Sequence, residues 1–137
     1  MKKRKAARRA GRPRARESGG QSRLIAIKRV YDEPAPADGL RILIDRLWPR
    51  GLPKAALKLD AWPRALSPST ELRKWYGHDP ALFAEFRRRY RAELATQTDE
   101  LAALRALIKG HTATLLTATR ELDLSHAVVL REVLLKD

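Results

Sequence analysis

The sequence predicts an α/β fold: a small, mostly parallel sheet flanked by helices, in a single domain with a disordered basic N-terminal tail. Three observations predict it. Short aliphatic runs at residues 24–30, 41–44 and 113–117 have the length and composition of strands. Between the second and third runs, apolar residues recur at helical spacing. Strands separated by helical stretches pack as layers around a parallel sheet.

The chain has 137 residues, enough for one core and too few for two. Residues 1–22 lack apolar periodicity and hold no large hydrophobe after Met1, so they cannot offset their ordering entropy. Gly19-Gly20 makes a join, and the α/β domain is expected to span residues 23–137. The first strand, Leu24-Ile25-Ala26-Ile27-Lys28-Arg29-Val30, leads into a loop marked by two prolines and Gly39. The second, Arg41-Ile42-Leu43-Ile44, is apolar on successive positions, which suits burial on both faces.

Residues 53–58 are expected to form a turn of helix, and Asp60-Ala61-Trp62 to start another short piece. Ser69 is the N-cap of a helix running to Tyr76. Asp79-Pro80 combines a cap with a first-turn proline. From there Leu82, Phe83, Phe86, Tyr90 and Leu94 form one apolar stripe ending near Ala95. A further helix covers residues 99–108, with Leu101, Leu104, Leu107 and Ile108 inward and Gly110 ending it. The last helix, residues 125–135, is apolar enough to be largely buried.

Charge is unevenly spread. Residues 1–23 hold ten Lys or Arg against Glu17 alone, while the remaining 114 carry a net charge of only +4. Gly11-Arg12-Pro13-Arg14 resembles an AT-hook, with Arg12 and Arg14 towards a minor groove; a generic polybasic tail is the other reading. Either binds nucleic acid in a salt-dependent way. Arg87-Arg88-Arg89 reads as a second nucleic-acid contact or as a solvated face balanced by Glu85 and Glu93.

Cysteine is absent, which excludes disulfides, thiolate metal sites and cysteine nucleophiles. No apolar run approaches the roughly 20 residues of a membrane span, and no secretory signal follows the basic start. The chain reads as cytoplasmic. There is no GxGxxG, Walker A, GxSxG or HExxH motif, and only His78, His111 and His126, with no paired ligand spacing. Neither cofactor nor metal is expected.

Candidate chemistry gathers where ligands bind in open α/β sheets, outside the carboxyl ends of the strands. Those ends carry Tyr31 and Asp32, then Asp45-Arg46-Leu47-Trp48-Pro49-Arg50-Gly51, then Thr119-Arg120-Glu121 leading to Ser125 and His126. The guanidinium fork matches carboxylate and phosphate oxygens, and a helix N-terminus at Ser125 adds free N–H groups. Arg46, Trp48, Arg50, Gly51, Arg120 and Ser125 are therefore candidate ligand residues, with His126 or Glu121 to handle a proton. Each also has a plainer reading. Arg46 and Arg50 serve equally as partners of Asp45, Glu121 or loop carbonyls, Trp48 as a packing aromatic, Pro49 and Gly51 as turn formers. His78 lies in a second polar cluster, Trp75-Tyr76-Gly77-His78-Asp79, from which it could reach the rim.

From Ile25 to Leu134 the chain resembles the YeaO-like branch of domain of unknown function 488, small bacterial proteins. The matching motifs are Lys28-Arg29-Val30-Tyr31-Asp32, Asp45-Arg46-Leu47-Trp48-Pro49-Arg50-Gly51, the segment from Leu66 to Pro80, Phe86-Arg87-Arg88-Arg89-Tyr90, and His126-Ala127-Val128-Val129-Leu130. The resemblance implies an α/β fold and supplies no activity. The broader family often shows a cysteine at a strand end and a Cys-His-Arg start to the last helix. The corresponding positions here resemble Thr117, Ser125, His126 and Ala127, so a thiol role cannot operate in this chain.

Two functions are expected. One is binding, or cofactor-free turnover, of an anionic small molecule or nucleotide in an Arg/Trp/His cleft. The other is a nucleic-acid-binding module using the tail and the Arg-rich helix.

Overall fold

The computed structural model describes residues 24–136. The expected tail disorder, the domain's start at Arg23 and the contacts assigned to Arg12 and Arg14 lie outside the described residues. The three aliphatic runs form strands β1 (Ile25–Arg29), β2 (Leu40–Leu43) and β3 (Ala113–Thr117) of one sheet, in the order β1-β3-β2. Both pairings are parallel, and Ile25 and Leu40 both lie opposite Ala113. This common register leaves the three carboxyl ends level, so that the residues following each strand share one rim.

Every residue of β3 is buried, which explains its central place: Ala-Thr-Leu-Leu-Thr presents no charged side chain to either layer. β2 is shifted one residue towards the N-terminus from its expected span, although the Ile44 amide still donates to Leu116. Its outer edge is covered at Ile42, which bridges Ala61. That bridge corrects the reading of residues 60–62 as helical. The Asp60 carboxylate accepts from the Arg41 amide, and a 3-10 turn forms later, at Arg64–Leu66.

Side-chain alternation divides the sheet between two layers. Ile25, Ile27, Ile42, Ile44, Ala113 and Leu115 belong to the main core with helices α2 (Thr70–Tyr76), α3 (Phe83–Leu94), α4 (Thr98–Ile108) and α5 (His126–Leu135). Val30, Leu43 and Leu116 meet the short helix α1 (Lys54–Leu57), Trp48, Leu52, Leu59 and Trp62 on the opposite face.

The caps follow the sequence. Ser69 Oγ accepts from the Leu72 amide and α2 ends at Gly77, whose φ of 54° suits glycine. Asp79 caps the 3-10 turn Pro80–Leu82, which runs into α3. Along α3, Phe86, Tyr90 and Leu94 are buried four residues apart, and the Tyr90 hydroxyl donates to the Leu66 carbonyl.

The helical stripes are narrower than expected. Leu107 is exposed, because Leu101, Leu104 and Ile108 lie along one side of α4 and Leu107 falls off it. On α5, Ala127, Val129, Leu130 and Leu134 are buried while Leu135 faces solvent. Among the described residues no helix is long and apolar enough to cross a membrane.

Asp38 and Arg41 are both buried and paired, and the Asp38 carboxylate also accepts from Lys28 Nζ at 2.9 Å and from the Ala35 amide at 2.9 Å.

Candidate functional site

The level carboxyl ends bring Asp45, one residue past Ile44, beside Thr117 and Ala118 at the end of β3 and His126 at the first turn of α5. The Asp45 carboxylate is held from three sides. One oxygen accepts from Thr117 Oγ1 at 2.7 Å and His126 Nε2 at 3.0 Å, the other from the Ala118 amide at 2.8 Å. Burial pushes the Asp45 carboxyl up, but the His126 hydrogen bond and charge, the Ala118 amide and the Thr117 hydroxyl outweigh it. Its pKa falls below the ordinary 3.8, so it stays ionised.

His126 Nε2 also lies 3.1 Å from the Ile44 carbonyl. Carbonyl and carboxylate oxygens can only accept here, so Nε2 carries a proton. The ring stands edge-on to Tyr90, centroids 6.2 Å apart. Local sequence sets this placement, because Ser125 caps α5 by accepting from the Ala127 amide. The Ser125 hydroxyl donates to the Leu122 carbonyl at 2.7 Å, so although Ser125 borders the cavity its polar capacity is committed internally.

Above this group opens a cavity of about 460 Å³. The loop after β2 supplies one wall through Arg46, Trp48 and Arg50; α2 supplies Arg73, Lys74 and Tyr76; His78 and Thr119 also border it. Four cationic side chains thus meet one carboxylate, Asp45, which His126 already engages. Arg50 is exposed, and its carbonyl accepts from the Tyr31 hydroxyl at 3.1 Å. Arg46 is more constrained. It donates through Nη2 to the Ser67 and Pro68 carbonyls, each at 3.2 Å, leaving Nη1 without a protein partner among the described residues.

Trp48 is a wall. Its Nε1 donates to the Leu52 carbonyl at 2.6 Å, and its ring packs edge-on against Trp62 with centroids 5.4 Å apart. Trp62 in turn donates to the Asp45 carbonyl at 2.7 Å, tying the smaller core to the site. Gly51, with φ of 83°, shapes the turn and does not border the cavity. Arg120 and Glu121 border a neighbouring cavity of about 340 Å³, which shares the lining residues Tyr76, His78, Ala118 and Thr119 with the first.

The carboxylate beside His126 is therefore Asp45; Glu121 is exposed and stands in the neighbouring lobe. Asp45 had a signal in the sequence, as the first polar residue after a buried strand. Arg73 and Lys74 joined the site without one, since two cations on a short helix ordinarily face solvent. Among the described residues no three His, Asp or Glu side chains form a group able to hold a metal.

The Arg-rich helix is extensively paired. Arg88 and Arg89 bond to Glu85, while Arg87 and Arg91 bond to Glu132. Glu85 plays its expected part, but Glu93 does not. It turns inward to accept from the Ser69 amide at 2.8 Å and the Ser69 hydroxyl at 2.6 Å, and Glu132 takes its place.

The Thr117 hydroxyl bonds to the Asp45 carboxylate and the Ser125 hydroxyl to the Leu122 carbonyl.

The chain is 44% identical over 108 residues to the uncharacterized protein YeaO of Escherichia coli (strain K12), covering 79% of this chain and 94% of that protein. It is 43% identical over 110 residues to the uncharacterized protein Rv3073c of Mycobacterium tuberculosis (strain ATCC 25618 / H37Rv), covering 80% and 92% respectively. No solved structure matches. The family model described as the inactive DUF488-N3 subclade matches residues 24–137, and the chain belongs to that family.

Proposed function

We propose that this domain binds an anionic small molecule in the cleft at the carboxyl ends of β2 and β3, and holds it without turning it over. One observation carries the reading. Arg46, Arg50, Arg73 and Lys74 border a single cavity whose one carboxylate among the described residues is already engaged. Cations gathered around low-dielectric walls attract and retain negative charge. Holding rather than turnover is supported by the family's description as inactive. Within this reading Arg50, Arg73 and Lys74 contact the anion directly and Arg46 offers its remaining edge.

Calorimetric titration with inorganic pyrophosphate at low salt tests the proposal. Saturable binding is expected, weakened about three- to tenfold by Arg73→Ala or Lys74→Ala. Both residues are exposed, so the melting temperature should hardly move. Absence of saturable binding, or binding indifferent to both substitutions, would refute it. The nucleic-acid alternative rests on residues 1–22 and the Arg-rich helix, and the pairing of that helix with Glu85 and Glu132 gives it no support among the described residues.

A further inference from the structure

The cleft is longer than a simple anion requires. Its cationic lobe of about 460 Å³ shares the lining residues Tyr76, His78, Ala118 and Thr119 with a second lobe of about 340 Å³. Each lobe alone is within the roughly 300–1,000 Å³ range of pockets that take organic molecules. The two differ in chemistry. The first gathers four cations around the Asp45–His126 pair. The second is walled by Tyr76, Pro80, Ala118 and Leu124, with Arg120 and Glu121 as its charged side chains among the described residues.

Tyr76 defines that second lobe. Its hydroxyl donates to the Leu124 carbonyl at 2.7 Å and its ring stacks on Phe86 with centroids 4.3 Å apart, so the ring is fixed in place with its polar tip occupied. A lobe of this kind accepts a flat, mostly apolar group. Glu121 opposes a second anion there, which assigns the negative end of a ligand to the first lobe. Arg120 and Glu121, neither of which has a side-chain partner among the described residues, offer one donor and one acceptor to the edge of such a group.

Resting on the anion-binding reading above, we infer that the occupant is a phosphate ester of a flat, largely apolar group. The phosphate lies among Arg50, Arg73 and Lys74, and the flat group lies against Tyr76 and Leu124. A nucleoside monophosphate and a simple aryl phosphate share this chemistry.

The test is calorimetric titration of the full chain with inorganic phosphate, glycerol phosphate, phenyl phosphate and a purine nucleoside monophosphate. Phenyl phosphate and the nucleotide should bind at least about tenfold tighter than the first two, because a buried ring adds apolar contact that glycerol cannot. An advantage for the nucleotide alone supports the inference and selects that source; an advantage for phenyl phosphate alone selects an aryl ester. Leu124→Trp, which fills the second lobe, should abolish the advantage while leaving inorganic phosphate unchanged. If that variant fails to fold, Leu124→Ala, which removes wall contact, should reduce it. Equal affinity for all four compounds, or an advantage that survives a folded Leu124 variant, overturns the inference and leaves anion binding standing. Failure of all four to bind overturns both.

Discussion

Replacing Asp45 should cost this domain a large share of its stability. Asp45→Ala strands the Ala118 amide, deprives His126 Nε2 of one of two acceptors, and leaves Thr117 to find Thr119, whose hydroxyl lies 3.1 Å away. A stranded buried N–H alone costs about 1–3 kcal/mol. Breaking a buried, hydrogen-bonded pair by removing one partner costs about 3–5 kcal/mol in all. Against a total of roughly 5–15 kcal/mol for a domain, that is a serious loss. With a urea slope of about 1.5–2 kcal/mol per molar, the denaturation midpoint should fall by roughly 2 M. Asp45→Asn should cost less, since one amide oxygen still accepts while the NH₂ end faces a donor.

The effect must also depend on pH in one direction. The folded-state pKa of Asp45 lies below its ordinary value, so its contribution is fully present above about pH 4 and is lost as pH falls through the folded value. The gap between wild type and Asp45→Ala should therefore narrow in acid. Urea denaturation at neutral pH and again near pH 3 measures both features. An Asp45→Ala variant within about 0.5 kcal/mol of wild type at neutral pH would refute the reasoning, because that is the range of surface changes.

Two further outcomes concern the smaller layer. Gly39→Ala should destabilise the fold by more than about 1–3 kcal/mol, because φ there is +64° and an added Cβ would collide with the Thr112 carbonyl; a thermal melt unchanged from wild type would contradict this. Asp38→Ala should cost about 3–5 kcal/mol by leaving the buried Arg41 guanidinium unpaired, and Asp38→Ala with Arg41→Met should recover part of it. If the double substitution is no better than the single one in urea, the pair is not what the loss reflects.

Much of the fold was legible because its signals are local. Ser69, Asp79 and Ser125 each cap the element that follows, and the spacing of Phe86, Tyr90 and Leu94 marks the buried face of α3. Leu107 was misread because its hydrophobicity says nothing about angular position once Leu101 and Leu104 have set the stripe. Residues 60–62 were misread because Ala61 is recruited by the edge of β2, a contact made across the chain. The Asp38–Arg41 pair also escaped notice, since two charges in a loop and a strand give no sign of burial until the smaller layer closes over them.

By itself the sequence determined that three aliphatic runs and intervening amphipathic helices would layer into an α/β domain. Periodicity and caps encode those things within a few residues. Only the tertiary structure decided that β3 lies between β1 and β2 in common register. That register joins Asp45 to His126, binds Arg46 to the Ser67 and Pro68 carbonyls, and brings Arg73 and Lys74 of α2 to the same cavity. The physical reason is that each of these partnerships spans more than twenty residues of chain, a distance at which packing of the whole core, and no local preference, selects which side chains meet.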